Sequence, residues 1–385
     1  MNRSSGNKSN RKRLLFLTGT RADFGKLKPL IRAIEKSDEF ECHIFATGMH
    51  TLSRYGSTVI EVYKEGFRNV QSYINQVDGE SMDMVLANTI QGLSRFVREC
   101  RPDLIVVHGD RVEAMAGAIV GSLQNILVAH VEGGELSGTI DGLIRHSVSK
   151  LSHIHFVSNQ DAAVRLRQLG EDPASIFVIG SPDIDIMLSP DLKPVEQVKK
   201  HYDIGFDRYS LLLFHPVTTE AGSIARQASQ LATAVIEDGS NYVVIHPNND
   251  AGCETILGAF GAFEGNNRFR VFPSLRFEWF LSLLKHADFI IGNSSSGIHE
   301  APVYAIPAIN IGSRQDNRFQ HESIIDCPAD KGAILEAMGR ARKLAGKLKP
   351  SLHFGTGNGA EKFREIIASE KTWNVPRQKK FLDLK

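Results

Sequence analysis

Short apolar runs rich in β-branched and aromatic residues recur along this chain and alternate with segments of helical spacing. The runs are RLLFLTG, CHIFATG, DLIVVHGD, NILVAHVEGG and HIHFVSN, then SLLLFHP, NYVVIHP, FRVFP, DFIIGNSS and PAINIG. Between them lie stretches such as Gly25 to Ile34, Val112 to Leu123 and Phe277 to Leu284, where apolar residues return at helical intervals. Strand and helix in alternation predict an α/β protein, with parallel sheets covered by helices on both faces. Sheets of that kind bind ligands beyond the carboxyl ends of their strands. The polar residues of this chain gather there: TGTRADFGK, HGDR and HVEGGE in the first half, HPVTTE, HPNND and GNSSSGIHE in the second.

At 385 residues the chain exceeds the ~100 to 200 of a usual domain, so two domains sharing a cleft are expected. The pattern lapses between Leu188 and Tyr209 into SPDLKPVEQVKKHYDIGFDR, with two prolines and mixed charge, which reads as a connection over residues 189–208. We therefore expect a Rossmann-like domain over 13–188 and a second from 209, facing each other so that the strand tips meet. The polar, basic start MNRSSGNKSNRKR precedes too short an apolar run for a signal peptide and reads as a leader over 1–12.

Lys plus Arg (45) nearly cancels Asp plus Glu (44), so no global field gathers nucleic acid or an acidic membrane, and neither is an expected partner. No apolar segment approaches the ~20 residues of a spanning helix. Cys42, Cys100, Cys253 and Cys327 are far apart and form no C-x-x-C, which fits a reducing cytoplasm. Affinity for anions must come from local groups.

In DFIIGNSSSGIHE a strand should end at Ile291, with a helix starting at Ser294 or Ser295, so that backbone N–H groups and hydroxyls face a phosphate. Glu300 follows where it would accept hydrogen bonds from ribose hydroxyls. TGTRADFGK places Arg21 and Lys26 at the first strand-to-helix turn and is neither G-x-G-x-x-G nor a Walker A loop. VHGDRVEA offers His108, Asp110 and Arg111. His-x-Asp resembles part of a metal site, yet no partner at ligand spacing accompanies it, so neither metal nor cofactor is expected and His108 reads as buried and structural. HVEGGELSGTIDGLIRH crowds Glu132, Glu135, Asp141, Arg145 and His146 at the next tip. Asp110 facing Glu132 should form a carboxyl pair whose like charges split their pKa values and hold one proton near neutrality. Of the two strand-His-Pro turns, His215 reads as functional and His246 as structural; His153 and His155 read as core and edge residues.

Together these motifs resemble the hydrolysing UDP-N-acetylglucosamine 2-epimerases of sialic acid biosynthesis. The resemblance runs from about Lys12 to the end, through GTRADFGKLKPL, VHGDR, HVEGGELSGTID, SIFVIGSPDID, FHPVTTE, HPNND, GNSSSGI, IGSRQ and TWNV. The non-hydrolysing relatives read GTRPE rather than GTRAD and differ after the HVE strand. The resemblance implies a glycosyltransferase-B-like fold, with the second domain ending near 365 and residues 366–385 returning to the first. It implies conversion of a UDP-sugar without a cofactor: UDP is eliminated with the C2 proton, and the resulting 2-acetamidoglucal is hydrated. Asp110 and Glu132 would be the elimination pair, Asp141 the acid or base of hydration, and His215 a helper of diphosphate departure. Arg21, Ala22, Gly25, Arg111, Asn248, Leu275, Ser294, Ser295 and Glu300 match nucleotide-contacting positions, and self-association as a homodimer or homotetramer is implied. Where the family often has GIRE this chain has GIHE, so His299 stands in place of an arginine. Two neighbouring readings are an epimerase of UDP-2,4-diacetamido-2,4,6-trideoxyglucose in the legionaminic acid route, and a glycosyltransferase. A third, non-catalytic reading is a UDP-sugar sensor or scaffold.

Overall fold

The computed structural model describes residues 11–137 and 140–383, and residues 1–10 of the expected leader lie outside the described residues. The first sheet comprises β1 (Lys12–Thr18), β2 (Phe40–Ala46), β3 (Val70–Ser72), β4 (Leu104–His108), β5 (Leu127–Val131), β6 (Ile154–Val157) and β7 (Ile176–Val178). The second comprises β8 (Ser210–Leu213), β9 (Tyr242–Ile245), β10 (Phe269–Phe272), β11 (Ile290–Gly292), β12 (Ala308–Ile311) and β13 (Ile324–Cys327). Every pairing described is parallel, as the alternation required.

Strand order fixes where the site must be. The first sheet runs β3-β2-β1-β4-β5-β6-β7 and the second β10-β9-β8-β11-β12-β13. In each, the order reverses beside the first strand, and loops leaving the two flanking strands diverge and open a crevice. The crevice of the first sheet lies between the tips of β1 and β4, that of the second between β8 and β11. The edge strands β3, β7 and β13 were not among the apolar runs read from the sequence; they are short and only partly buried.

Helix α1 (Arg21–Glu35) joins the halves. Thr20 caps it by accepting the Asp23 N–H, and Phe24, Leu27, Leu30, Ile31 and Ile34 bury one stripe against the first sheet. Its other side meets the second domain so closely that a Cβ on Gly25 would lie 2.5 Å from Phe277 Cβ. Around this contact Arg21 Nη1 donates to Ser274 Oγ at 2.9 Å, Arg276 pairs with Glu61 at 2.9 Å, and Lys28 pairs with both Glu65 and Glu278. The stretch over 189–208 holds a helix, Val195–His201, whose Val198 is buried in the second domain's core. The chain crosses back after Phe354: the helix Gly359–Ala368 buries Phe363 against Phe16 and Phe156 of the first sheet, and its first N–H groups donate to Asp185.

Gly292 closes β11 with φ at +135°, and a Cβ there would sit 1.8 Å from the Leu213 carbonyl oxygen of β8. Gly292→Ala should therefore destabilise the second domain by at least the ~1–3 kcal/mol of a forced backbone conformation. Differential scanning calorimetry should show a thermal midpoint several degrees lower; an unchanged midpoint would show that the turn accepts a side chain.

Candidate active site

The acids lie at the first sheet's crevice, in a cavity of about 200 Å³ walled by Asp23, Lys26, His108, Asp110, Glu132 and Asp141 together with Arg111, Arg145, Arg314 and Arg318. Glu132 follows β5 with φ at +60°, a left-handed conformation that costs energy for a residue with a side chain and is typical of functional turns. Its carboxylate is held from three sides. His108 Nε2 lies 3.1 Å from Oε2, the Ser181 hydroxyl donates to Oε1, and Lys26 Nζ stands 3.8 Å away. His108 is itself oriented through Nδ1, 2.7 Å from Asp23 Oδ1, while Asp23 Oδ2 accepts the Gly19 N–H at 2.9 Å. Burial disfavours the imidazolium, but Glu132 and Asp23 outweigh it and push the His108 pKa up to about 9. Burial likewise opposes ionisation of Glu132, yet Lys26 and His108 hold its carboxyl well below the usual range.

Asp110, at the tip of β4, is ion-paired with Arg145, whose other nitrogen donates to the Glu132 carbonyl at 2.6 Å. Against burial, Arg145, Arg318 and Arg314 lower its pKa. The expected Asp110–Glu132 pair sharing a proton is thus not what forms, because each acid has its own cations. The carboxyl that feels the charge of Asp110 is Asp141, on the helix Ile140–Leu151. Burial and the charge of Asp110 raise the Asp141 pKa, although Arg314 Nη2 reaches across from the second domain to 3.2 Å. Two of the acids thus have lowered pKa values and the third a raised one. Glu135 turns aside, accepting from Asn159 Nδ2 at 2.9 Å.

At the second crevice lies a cavity of about 290 Å³ lined by His215, Asn248, Leu275, Ser294, Ser295 and Glu300, with Arg21, Ala22 and Arg111 from the first domain. Asn293 ties the tips together, accepting the His215 N–H at 2.6 Å and donating to its carbonyl at 2.8 Å. His215 Nδ1 accepts the Asn248 N–H at 3.0 Å. Burial, with Arg314 and Arg111 nearby, holds His215 well below its ordinary pKa. A neutral ring accepting at Nδ1 carries its hydrogen on Nε2, so His215 is a hydrogen-bond donor rather than a cation. The expected helix start at Ser294 is instead a single 3₁₀ turn, Ser295–Gly297, with Ser294 Oγ accepting the Ser296 N–H and a four-residue helix beginning only at Glu300. The serines still face the cavity.

Both cavities share Ala22, Lys26, Arg111, Ser295 and Arg314, so they form one site. Of the expected residues only Gly25 lies elsewhere, lining the groove behind α1 where it permits the Phe277 contact. His246, read as structural, lines the second cavity, and His108, also read as structural, touches Glu132. His155 pairs with Glu171 at 3.0 Å, inside the fold. Sequence reasoning passed over Arg314, Arg318, Asp183 and Ser181. Arg314 follows β12, where the rule that ligands gather at strand tips pointed; Ser181 and Asp183 follow β7, a strand the pattern did not register. Among the described residues no cluster of His, Cys, Asp and Glu is arranged to hold a metal ion, and no helix is long and apolar enough to cross a membrane.

Two Rossmann-like domains, joined at one cleft and tied by a returning C-terminal helix, define the glycosyltransferase-B-like class. Solved UDP-GlcNAc 2-epimerase structures share it: one from Neisseria meningitidis bound to UDP-GlcNAc (TM-score 0.77, 17% identity, 92% of this chain and 99% of that one) and one from Methanocaldococcus jannaschii with UDP-GlcNAc and UDP (TM-score 0.77, 23% identity, 92% and 99%). The family described as UDP-N-acetylglucosamine 2-epimerase matches residues 32–368. A Neisseria meningitidis serogroup B protein named UDP-N-acetylglucosamine 2-epimerase is 48% identical over 97% of this chain and 99% of its own. A Legionella pneumophila protein named UDP-N,N'-diacetylbacillosamine 2-epimerase (hydrolyzing) is 31% identical over 92% and 95%. The chain belongs to the UDP-N-acetylglucosamine 2-epimerase family.

The His108 pKa rises from 6.5 to about 9 on folding, so the stabilisation given by its charged form is complete below pH 6.5 and is lost as pH climbs through about 9. Thermal midpoints of the wild type and His108→Gln should differ most in mildly acidic buffer and converge in alkaline buffer. A gap that is constant across that window would show that the imidazole is neutral throughout.

Proposed function

We propose that this chain is a hydrolysing UDP-N-acetylglucosamine 2-epimerase, which turns UDP-N-acetylglucosamine and water into UDP and N-acetylmannosamine for sialic acid biosynthesis in the cytoplasm. The observation that carries the reading is one site with two halves: a serine-walled pocket suited to a nucleoside diphosphate opens onto a cavity in which the pKa values of Asp110 and Glu132 are lowered and that of Asp141 is raised. The first half-reaction breaks C2–H and C1–O. An ionised acid, Asp110 or Glu132, takes the C2 proton, and the C2–H electrons form the C1–C2 double bond as UDP departs with the C1–O pair. Arg111 and His215, which both line the serine-walled pocket, would stabilise the negative charge that develops on the departing diphosphate. In the second half-reaction Asp141 gives a proton to C2 of the 2-acetamidoglucal from the opposite face, and water adds at C1 while losing a proton to an ionised acid. The sum replaces UDP with hydroxyl and inverts C2, with no redox change.

The relative of 48% identity is named UDP-N-acetylglucosamine 2-epimerase, as are the Methanocaldococcus jannaschii and Salmonella typhimurium relatives at 25% and 22%, and none of the three names specifies hydrolysis; support for hydrolysis comes from two relatives at 31%, named as hydrolysing 2-epimerases of N,N'-diacetylbacillosamine nucleotides. Three crowded acids favour elimination over simple glycosyl transfer. Association into a homodimer or homotetramer belongs to the same proposal.

Turnover of UDP-N-acetylglucosamine in deuterated water, followed by NMR, should yield UDP and N-acetylmannosamine with deuterium at C2. A UDP-linked mannosamine product would make the enzyme non-hydrolysing, and turnover of the 2,4-diacetamido sugar alone would move it to the legionaminic acid route. Asp110→Asn and Glu132→Gln should each lower kcat about 10²–10⁴-fold while UDP binding by calorimetry is retained; near-normal rates would remove both acids from the chemistry.

A further inference from the structure

His299 stands at the seam of the two cavities with a ring nitrogen that finds no hydrogen-bond partner among the described residues. It lines the acid cavity, while the next residue, Glu300, lines the serine-walled pocket. The residue is only 7% exposed, and its Nδ1 has no partner among the described residues. Two other buried imidazoles have both ring nitrogens partnered. His50 meets Thr18 and Thr58 at 3.1 and 2.8 Å, and His130 meets Ser149 and the Gly109 carbonyl at 2.9 and 2.8 Å. His146 and His155 also keep an Nδ1 without a partner among the described residues, but neither lines either cavity.

The ring is held in place. It stacks on Phe354 with centroids 4.1 Å apart and planes at 16°, and Phe354 is wedged edge-on against Phe319 and His353. The Phe354 carbonyl accepts the Ser181 N–H at 2.6 Å, and the Ser181 hydroxyl donates to Glu132. One segment therefore fixes both His299 and the neighbouring acid. Burial, with Lys26 and Arg318 close by and only partly offset by Glu132, keeps the imidazole well below its ordinary pKa and neutral. A neutral imidazole offers one donor and one acceptor, which a hydroxyl group, itself donor and acceptor, answers in kind. A cationic substituent would be repelled by Lys26, Arg318 and Arg145.

We propose that His299 is a specificity-determining residue that hydrogen-bonds one hydroxyl of the substrate's hexose ring, at the junction between the nucleotide pocket and the acids. The assignment rests on the UDP-sugar reading above and goes beyond it by naming the group that recognises the sugar. A buried polar group left without its partner discriminates strongly against a ligand lacking the matching hydroxyl.

The test is a cycle between protein and substrate. His299→Phe keeps the aromatic stack and removes both nitrogens; His299→Gln restores a donor and an acceptor. UDP-N-acetylglucosamine and its analogues deoxygenated at C3, C4 or C6 are compared by kcat/KM, and UDP alone by calorimetry. His299→Phe should lose about 10- to 100-fold in kcat/KM with UDP affinity unchanged, and His299→Gln should recover part of it. One deoxy analogue should be as poor for the wild type as the parent sugar is for His299→Phe, with no further loss when the two changes are combined. Additive losses for all three analogues, or UDP affinity falling in step with kcat/KM, would overturn the assignment. A wild-type enzyme that releases no UDP from UDP-N-acetylglucosamine would instead overturn the functional reading and this inference with it.

Discussion

One buried ammonium ties this molecule together at its working centre. Lys26 Nζ lies 3.0 Å from Asp183, 3.3 Å from Glu300 and 3.8 Å from Glu132, on a side chain only 14% exposed. Its partners come from three places: the helix Pro182–Met187 after β7, the second domain and the tip of β5. A charge withdrawn from water must find compensation, and removing one partner of a buried pair costs about 3–5 kcal/mol. The lysine therefore couples the contact between the domains to the ionised state of Glu132. Three carboxylates around one cation also leave an excess of negative charge. That excess falls on Glu300: burial, with Asp183 and Glu132 close by, pushes its pKa up to about 7 despite Lys26.

The rest of the site follows the same rule that buried charge is matched group by group. Arg145 serves Asp110, His108 serves Glu132, and Asp23 serves His108. Asp141 stands apart because its nearest influences include another carboxylate as well as Arg314. Similar side chains thus acquire opposite pKa shifts within one cavity of about 200 Å³. Reaction chemistry that both removes and returns a proton needs that inequality.

Much of this was legible in the residues alone. Parallel sheets follow from apolar runs separated by helical spacing, and the strand-tip rule located Asp110, Glu132, His215 and Ser295 without any contact being known. Arginines of the second domain were harder to see, since Arg314 and Arg318 lie in a polar loop that resembles any other solvated segment. Ser181 and Asp183 escaped because β7 is short, half-buried and at a sheet edge, so its tip carried no pattern. His108 was judged by its own neighbours in sequence, where nothing announces Asp23, 85 positions earlier. Gly25 is informative in the opposite way: the resemblance made it a nucleotide contact, whereas the structure places it in close packing against Phe277, outside both cavities.

By itself the sequence determined the strand and helix order, the two-sheet architecture and the chemical types gathered at the strand tips, because periodicity and turn residues act over a few positions and need no partner. Only the tertiary structure decided which acid meets which cation. That pairing sets the protonation of Asp110, Glu132 and Asp141, and it depends on Coulomb interactions between groups far apart along the chain, across a cleft that exists only once both domains have folded and closed.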